Sequence, residues 1–269
     1  MVVKASFAMA ATLILSIAGI AVAETKVPGD PYADDPVGIV ADPCPSQRPL
    51  PTDGAGWMMW NLHMLTRDFG QLCRYAAPNR EVKKERVRVV FMGDSITDNW
   101  IGADPSLFIN GLVDRGIGGQ TTPQMLVRFR ADVIALKPLA VHIMAGTNDI
   151  AGNTGAATLE TVQGNIESMA ELARAHGIKV LLGSIPPARI FKWSPKLAPA
   201  QRIIAFNAWL KSYARANGFT YVDYHSAMAE ADGGMKPGLS SDEVHPTKAG
   251  YAVMRPIALA AIARTLGKR

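Results

Sequence analysis

The 269-residue sequence is poor in cysteine and contains no block of like charge. It has two cysteines, and no second Cys or His pair stands at metal-ligand spacing, so we expect no metal site. No segment repeats and no low-complexity run occurs, which argues against solenoid and fibrous proteins. The net charge of +5 comes from basic residues spread along the chain without a nucleic-acid-binding motif. Nucleic acid is therefore not an expected partner.

The composition is that of an ordinary globular protein. Apolar residues make up 48% of the chain and charged residues 19%. The length suits one sizeable α/β domain with a single hydrophobic core.

The first 23 residues differ in character from the rest. Lys4 precedes an uncharged apolar run at 5–23, and Ala21-Val22-Ala23 supplies the small residues at which signal peptidase cleaves. We therefore predict a signal peptide at 1–23 and an exported protein, periplasmic or secreted, without stable membrane insertion after cleavage. An uncleaved membrane anchor is the alternative, because the run is nearly long enough to span a bilayer.

Cys44 and Cys73 follow the predicted cleavage point. In an oxidising compartment an even number of cysteines indicates a disulfide, which would close a loop of about thirty residues and be worth about 3 kcal/mol. Such a bond would tie an N-terminal arm to the first helix. Two unrelated thiols are the alternative that the sequence leaves open.

Residues 24–56 contain many Pro, Asp and Gly residues and lack periodicity, which predicts an extended N-terminal arm. The domain itself is predicted at 57–269. It begins with an amphipathic segment at 57–75, whose apolar residues stand at helical spacing and indicate a leading helix packed on the core.

Beyond the leading helix, buried strands alternate with helices. We predict strands at 87–92, 139–144, 179–185 and 219–222 and helices at 123–136, 158–176, 199–217 and 247–266. This alternation implies right-handed crossovers and a mostly parallel sheet with helices on both faces. The predicted fold is a single-domain three-layer α/β/α sandwich, in which ligands bind beyond the carboxyl ends of the strands.

A serine lies at the end of the first predicted strand, in Gly93-Asp94-Ser95-Ile96-Thr97. A serine there can project its hydroxyl into a cleft, while the start of the following helix offers backbone N–H groups. The hydroxyl needs a base, because it is a weak nucleophile at neutral pH. A simple turn is the alternative, and the Gly-x-Ser-x-Gly elbow of α/β-hydrolases is missing.

The loop Asp242-Glu243-Val244-His245-Pro246 contains a candidate base. The Asp242 carboxylate can hold one ring nitrogen of His245, so that the other nitrogen faces the serine. A solvated surface loop is the alternative. His225, close to Asp223, is a competing base that lacks the Asp-x-x-His spacing.

Two further loops contain candidate oxyanion donors. A glycine-rich loop at 115–122 can aim a backbone N–H at a developing oxyanion, and Asn148 in Gly146-Thr147-Asn148-Asp149 can donate from its amide. Phosphate binding is the rival for the first loop, but the Lys-Ser/Thr of a P-loop is absent. A structural turn is the alternative for both.

In this order, GDSIT, GIGGQTT, GTND and DEVHP resemble the sequence blocks of SGNH (GDSL-like) hydrolases. The similarity covers about residues 87–266. It looks closest to the branch of platelet-activating-factor acetylhydrolase-like and lysophospholipase-like esterases. The resemblance implies the SGNH, flavodoxin-like form of the predicted fold.

The resemblance also implies a role for each motif. Ser95 would be the nucleophile, with Asp242 and His245 completing the catalytic triad. The oxyanion donors would be the N–H groups of Ser95 and Gly119 and the amide of Asn148, with Gly118 as the neighbour that competes with Gly119.

The implied function is hydrolysis of a carboxylic ester through an acyl-enzyme, with no metal or organic cofactor. The expected substrate is a small ester or an acylated carbohydrate or lipid, and export favours O-acetyl groups on carbohydrate. A lysophospholipase or thioesterase is the alternative within the family. A non-catalytic glycan- or protein-binding module is the alternative outside enzymes, and the sequence leaves the oligomeric state open.

Other residues near the motifs have lesser expected roles. Asp94 is expected to brace the turn before Ser95, and His142 to lie in the core or at a sheet edge. Residues just beyond the nucleophile and on a Pro-flanked loop are expected to line or cover the pocket, with core packing as the alternative: Asp98, Asn99, Trp100, Ile190, Phe191 and Trp193.

Overall fold

The structure is a computed structural model that describes residues 32, 35–44, 52–82 and 86–267. The predicted signal peptide (1–23) lies outside the described residues, as does much of the predicted arm (24–56). Residues 36–269 form one compact unit, which contains every helix and strand given below.

Two leading helices precede a regular alternation of strands and helices. The helices are α1 (Gly54–Thr66), α2 (Ala76–Val82), α3 (Ser95–Ala103), α4 (Thr122–Asp132), α5 (Thr147–Ala151), α6 (Leu159–Ala175), α7 (Pro199–Asn217), α8 (His225–Met228) and α9 (Lys248–Leu266). The strands are β1 (Val89–Gly93), β2 (Leu112–Gly116), β3 (Ala140–Met144), β4 (Lys179–Gly183) and β5 (Thr220–Val222). Short 3₁₀ turns occur at Pro105–Leu107 and Ile134–Leu136.

The five strands form one parallel sheet in the order β2-β1-β3-β4-β5. Every residue of β1 and β3 is buried, because helices cover both faces of the sheet. Helix α3 packs with α9, α4 packs with α6, and α6 and α7 both contact β4. Right-handed crossovers place α3 and α9 on one face and α4, α6 and α7 on the other. The predicted three-layer α/β/α fold is confirmed.

Strands β1 and β3 are neighbours whose connections leave in opposite directions. From β1 the chain goes through α3 to the edge strand β2, whereas from β3 it goes through α6 to β4. Such a reversal opens a crevice at the carboxyl ends of the two strands, where open α/β sheets bind ligands.

The segment at 57–75 does not form the single helix that its spacing predicts. Helix α1 begins three residues earlier than predicted, capped by the side chain of Asp53, and ends at Thr66. The chain then turns: the Asp68 carboxylate accepts from the Leu72 N–H at 3.0 Å, and Gln71 has a φ of 50°. That prediction was wrong because the Asp68 carboxylate stabilises the turn after α1, and the left-handed backbone of Gln71 cannot continue a helix despite the apolar spacing.

The edge strand β2 was not predicted. It contains Asp114 and Arg115, both buried, which interrupt the apolar run expected of an inner strand. Their side chains find polar partners locally: Asp114 accepts from the Gly116 N–H at 2.7 Å, and Arg115 donates to Asn79 Oδ1 at 2.7 Å. These partners, one at the end of the strand and one on α2, therefore permit buried polar side chains in β2.

Cys44 and Cys73 form the predicted disulfide, with a Cα–Cα distance of 5.3 Å. Cys73 lies in the turn between α1 and α2 and not, as predicted, in the first helix. The same turn supports the glycine-rich loop, since the carbonyl of Gly70 accepts from Gln120 Nε2 at 3.2 Å. The disulfide therefore anchors a segment that contacts the glycine-rich loop.

Candidate active site

The site lies where β1, β2 and β3 end level with one another. Gly93 pairs in register with Gly116 and with the last residue of β3. A Cβ at Gly93 would lie 2.1 Å from Thr97 Oγ1, and one at Gly116 would lie 2.1 Å from the Asp98 nitrogen. Both positions require glycine because the first turn of α3 packs directly on the two strand ends.

Ser95 is the first residue of α3, and Asp94 is its N-cap. The buried Asp94 carboxylate accepts from the Ile96 N–H at 2.9 Å, so it braces the turn as predicted. The Ser95 N–H has no acceptor among the described residues, as is usual for the first donors of a helix. Ser95 therefore offers both a hydroxyl and a free backbone donor.

The loop before α9 brings the other two predicted residues to the serine. Ser95 Oγ lies 2.8 Å from His245 Nε2, and His245 Nδ1 lies 2.6 Å from Asp242 Oδ2. Asp242 Oδ1 also accepts from the backbone N–H groups of Val244 and His245, at 3.0 and 2.7 Å. Because an ionised carboxylate only accepts, Nδ1 carries the ring proton and Nε2 accepts from the serine hydroxyl.

The two carboxylates of the site have opposite pKa shifts. Burial raises the pKa of Asp242, but hydrogen bonds from the His245 ring and from the backbone of His245 and Val244 outweigh it and lower the pKa to about 2. Asp242 is thus ionised near neutral pH and can stabilise a charged imidazole. Full burial raises the pKa of Asp94 to about 6.

The glycine-rich loop after β2 lies beside the serine, since a Cβ at Gly118 would be 3.8 Å from Ser95 Cβ. The Gly118 N–H donates to Asp98 Oδ2 at 3.1 Å. The Gly119 N–H, in contrast, has no acceptor within the described part of the chain. Of the two neighbouring glycines, Gly119 is therefore the one with a donor available to a substrate.

Asn148 lies in the first turn of α5, which follows β3. Its Nδ2 donates to the Gln120 carbonyl at 3.0 Å, which leaves the second hydrogen of the amide available. Its Oδ1 accepts from Asn153 Nδ2 at 2.9 Å. The amide is therefore held between the glycine-rich loop and the loop after α5.

Neither of the other histidines considered above is bonded to the serine. The His225 backbone N–H donates to Ser184 Oγ at 2.9 Å, and its buried Nε2 has no partner in the described chain. His142 is fully buried, with Nε2 2.9 Å from Tyr224 Oη, as expected of a core histidine. The hydroxyl of Ser95 instead faces His245.

The aromatic residues expected near the pocket divide into two groups. Trp100 is fully buried and stacks on Tyr251, so it belongs to the core and does not line the pocket. Trp193 is 45% exposed, stacks on the buried ring of Phe191 at 5.1 Å, and has its ring 6.3 Å from that of His245. Trp193 therefore forms an exposed wall beside the imidazole.

Arg128 supports the site and was not singled out from the sequence. Its fully buried guanidinium donates to the carbonyls of Gly93 at 3.0 Å and Arg115 at 2.8 Å, next to the ends of β1 and β2. Asp132, one helical turn away, pairs with it at 3.1 Å. The sequence signal available for Arg128 is its opposite charge to Asp132 four residues later, although that spacing usually indicates an exposed helix face.

Asn153 was also missed from the sequence, because an asparagine beside glycine is typical of turns.

Within the described residues, no group of three or more His, Cys, Asp or Glu side chains could hold a metal ion. None of the helices in that part of the chain is long and apolar enough to cross a membrane.

A hydrogen-bonded Ser-His-Asp set at the carboxyl edge of a parallel sheet is the arrangement of serine-dependent hydrolases. The model of the GDSL-like lipase/acylhydrolase family matches residues 91–253, more than half of the chain. The chain belongs to this family, which confirms the resemblance of its motifs.

Solved structures agree with this assignment. A protein from Bacteroides fragilis described as an acylhydrolase is 47% identical, with a TM-score of 0.72, over 74% of this chain and 99% of its own. A GDSL-like lipase from Bacteroides thetaiotaomicron is 45% identical, with a TM-score of 0.69, over 73% and 98%.

The esterase TesA of Pseudomonas aeruginosa is 30% identical over 142 residues, which are 51% of this chain and 62% of that protein. The chain spans less than two thirds of the length of the curated relatives it matches.

Proposed function

We propose that the protein is a serine esterase that hydrolyses carboxylic esters through an acyl-enzyme. The observation that carries this proposal is the chain of hydrogen bonds from Ser95 Oγ to His245 Nε2 at 2.8 Å and from His245 Nδ1 to Asp242 at 2.6 Å. Membership of the acylhydrolase family supports the reaction class. The free N–H groups of Ser95 and Gly119 support an oxyanion site.

In the proposed mechanism His245 Nε2 takes the Ser95 proton as Oγ attacks the ester carbonyl carbon. The oxyanion that forms is stabilised by the N–H groups of Ser95 and Gly119 and by the second amide hydrogen of Asn148. The intermediate collapses, and the protonated imidazole gives its proton to the departing alcohol. Water, activated by the same nitrogen, then hydrolyses the acyl-enzyme, while Asp242 stabilises the imidazolium in both steps.

The proposed substrate is a short acyl ester, with O-acetyl groups on carbohydrate as the preferred case. Trp193 supports this choice, because an exposed aromatic face beside His245 suits an alcohol component such as a sugar ring. A lysophospholipase or thioesterase activity is the alternative within the family. Acyl chain length distinguishes a short-acyl esterase from a lysophospholipase, because a lipid substrate requires turnover of long-chain esters.

We also propose that residues 1–23 are a signal peptide and that the mature protein acts outside the cytoplasm. The charge and apolar pattern of this segment supports export. The disulfide between Cys44 and Cys73 supports it independently, because reducing compartments disfavour such bonds. In this proposal 24–56 is an arm and 57–269 the hydrolase domain. The mass of the protein recovered from the periplasm or medium tests the cleavage point.

The test of the esterase function is hydrolysis of p-nitrophenyl esters, from acetyl to long acyl chains, by the wild type and by Ser95→Ala. We expect turnover of acetyl and butyryl esters that Ser95→Ala abolishes without loss of folding. A fluorophosphonate probe should label the wild type and not the variant. Absence of both turnover and labelling would support the alternative of a non-catalytic binding module.

A further inference from the structure

Asn153 contacts both predicted oxyanion-donor loops through one carboxamide. Its Nδ2 donates to Asn148 Oδ1 at 2.9 Å and to the Gly119 carbonyl at 3.2 Å. The Asn153 backbone N–H also donates to the Asn148 carbonyl at 3.0 Å. The Asn153 side chain therefore links Asn148, which carries the amide donor, to Gly119, which carries the free backbone N–H.

The orientation of this carboxamide is determined by Trp193 together with the Gly119 carbonyl, which can only accept. The indole Nε1 lies 3.1 Å from Asn153 Oδ1, and an indole N–H can only donate. The atom of Asn153 that faces it must therefore be the oxygen, so the Asn153 NH₂ faces Asn148. Because that NH₂ also only donates, the atom of Asn148 that receives it must be Oδ1. The Asn148 NH₂ is then directed to the Gln120 carbonyl and to the substrate side.

The position of Trp193 is itself well supported. Its ring stacks on Phe191, which is fully buried. The hydroxyl of Ser194, the next residue, donates to the Ala151 carbonyl at 3.1 Å, in α5 and close to Asn153. The loop that carries the indole is thus attached to the same segment whose amide it orients.

We propose that Asn153 is a positioning residue for the oxyanion donors and that the Trp193 N–H, together with the Gly119 carbonyl, sets its orientation. This inference rests on the proposed esterase function. Asn153 acts through Asn148 and Gly119 and does not touch the reacting atoms. A reversed Asn148 amide would present an oxygen to the developing oxyanion and so repel the charge that it should stabilise.

The consequence should appear in kcat more than in KM. The amide donor matters most when negative charge develops, so its misorientation removes an interaction specific to the transition state. Asn153 is exposed, and water competes for its hydrogen bonds. We therefore expect a smaller loss than removal of a donor causes, about tenfold in kcat against the 10²–10³-fold typical of a deleted donor.

The test measures kcat and KM on p-nitrophenyl acetate for Trp193→Phe, Asn153→Ala and the double variant. Phenylalanine keeps the ring that stacks on Phe191 and removes only the N–H. Rates are normalised to the serine labelled by a fluorophosphonate, so that unfolded protein does not contribute. Each single variant should lower kcat about tenfold with KM within twofold, and the double variant should lose no more than Asn153→Ala alone.

An isosteric variant separates orientation from packing. Asn153→Asp has the same shape but cannot donate to Asn148 Oδ1 when ionised, so its loss should equal or exceed that of Asn153→Ala. Trp209→Phe is the matched control, because Trp209 also stacks on a neighbouring ring, that of Tyr213, but lies on α7. It should leave kcat unchanged.

Either of two results would overturn the inference. One is an unchanged kcat in Asn153→Ala or Asn153→Asp. The other is multiplication of the two losses in the double variant, which would mean that Trp193 acts independently of Asn153. Failure of the esterase function itself is distinguishable, because the wild type would then show no turnover that depends on Ser95.

Discussion

Arg189 donates from Nη2 to both carboxylate oxygens of Glu243, at 3.0 Å each. Glu243 lies between Asp242 and Val244 in the loop that carries the proposed base, and its φ of 77° is strained for a residue with a side chain. The other arm of the guanidinium donates to Asp232 at 2.6 Å. Arg189 therefore ties a strained turn of the base loop to two neighbouring segments.

We predict that Arg189→Ala lowers kcat by about two- to fivefold and changes the melting temperature little. The ion pairs are exposed, so water and salt screen their contribution to stability. The activity loss is expected because the turn holding Asp242 and His245 gains freedom. Ester hydrolysis and thermal unfolding provide the two measurements.

Arg255→Ala is the matched control for this prediction. Arg255 pairs with Asp104 at 2.5 Å with similar exposure, at the end of α3 opposite the serine. It should leave kcat within the error of the wild type. Equal losses of kcat in both variants would contradict a specific role of Arg189 at the base loop.

Asn148→Ala should lower kcat by about 10²–10³-fold with little change in KM. The variant removes the amide donor while the N–H groups of Ser95 and Gly119 remain. Steady-state kinetics on p-nitrophenyl acetate measures the effect. Asn217→Ala serves as the control, because its amide bonds the Tyr213 carbonyl within α7. A loss of less than fivefold in Asn148→Ala would remove this residue from the oxyanion site.

The helices and strands that could be predicted from the sequence are those whose pattern is local in the chain. Strands β1 and β3 were predicted because apolar runs, interrupted in β3 only by His142, indicate burial on both faces. Edge strand β2 was missed because Asp114 and Arg115 obscure that pattern, and the Asn79 partner of Arg115 lies 36 residues away in the chain. The single helix expected at 57–75 was wrong because the Asp68-stabilised turn and the left-handed Gln71 outweigh apolar periodicity.

The same distinction applies to the candidate site. Ser95, Asp242 and His245 were predicted because each lies in a short recognisable motif, and the structure places all three in one chain of hydrogen bonds. Asn153 and Trp193 were not paired in advance. They are 40 residues apart, and their contact depends on the path of two loops that no local pattern specifies.

Asp242→Asn should reduce kcat by about 10³–10⁴-fold at neutral pH. The hydrogen bonds that lower the pKa of Asp242 to about 2, against the effect of burial, keep it charged there. The amide removes the charge that stabilises the imidazolium and can favour the wrong ring tautomer. The measurement is kcat on a short-chain ester.

Asp223→Asn is the control that separates the two candidate bases. Asp223 caps the start of α8 by accepting from the Ser226 N–H at 3.0 Å, close to His225. If His245 is the base, Asp223→Asn should keep nearly full activity. A large loss in Asp223→Asn with a small one in Asp242→Asn would transfer the role to His225.

Asp114→Asn should flatten the pH dependence of stability between about pH 4 and 7. Burial, with a smaller contribution from the charge of Asp98, raises the pKa of Asp114 from 3.8 to about 7, although the Gly116 N–H opposes the shift. The folded protein therefore keeps a proton that the unfolded chain has already lost. Stability must fall as pH rises through this window, by up to about 4 kcal/mol for such a shift.

Urea unfolding at pH 5 and pH 8 measures the effect. The wild type should lose stability between these two values, and Asp114→Asn should lose less, because asparagine does not titrate. Asp94, whose pKa burial raises to about 6, contributes in the same direction, whereas burial lowers the pKa of His142 to about 3 and so opposes it; both contributions remain in the variant. Asp242 titrates near 2, so its contribution disappears only in stronger acid and does not enter the comparison. An identical pH slope in the wild type and in Asp114→Asn would show that the buried carboxyl does not hold its proton.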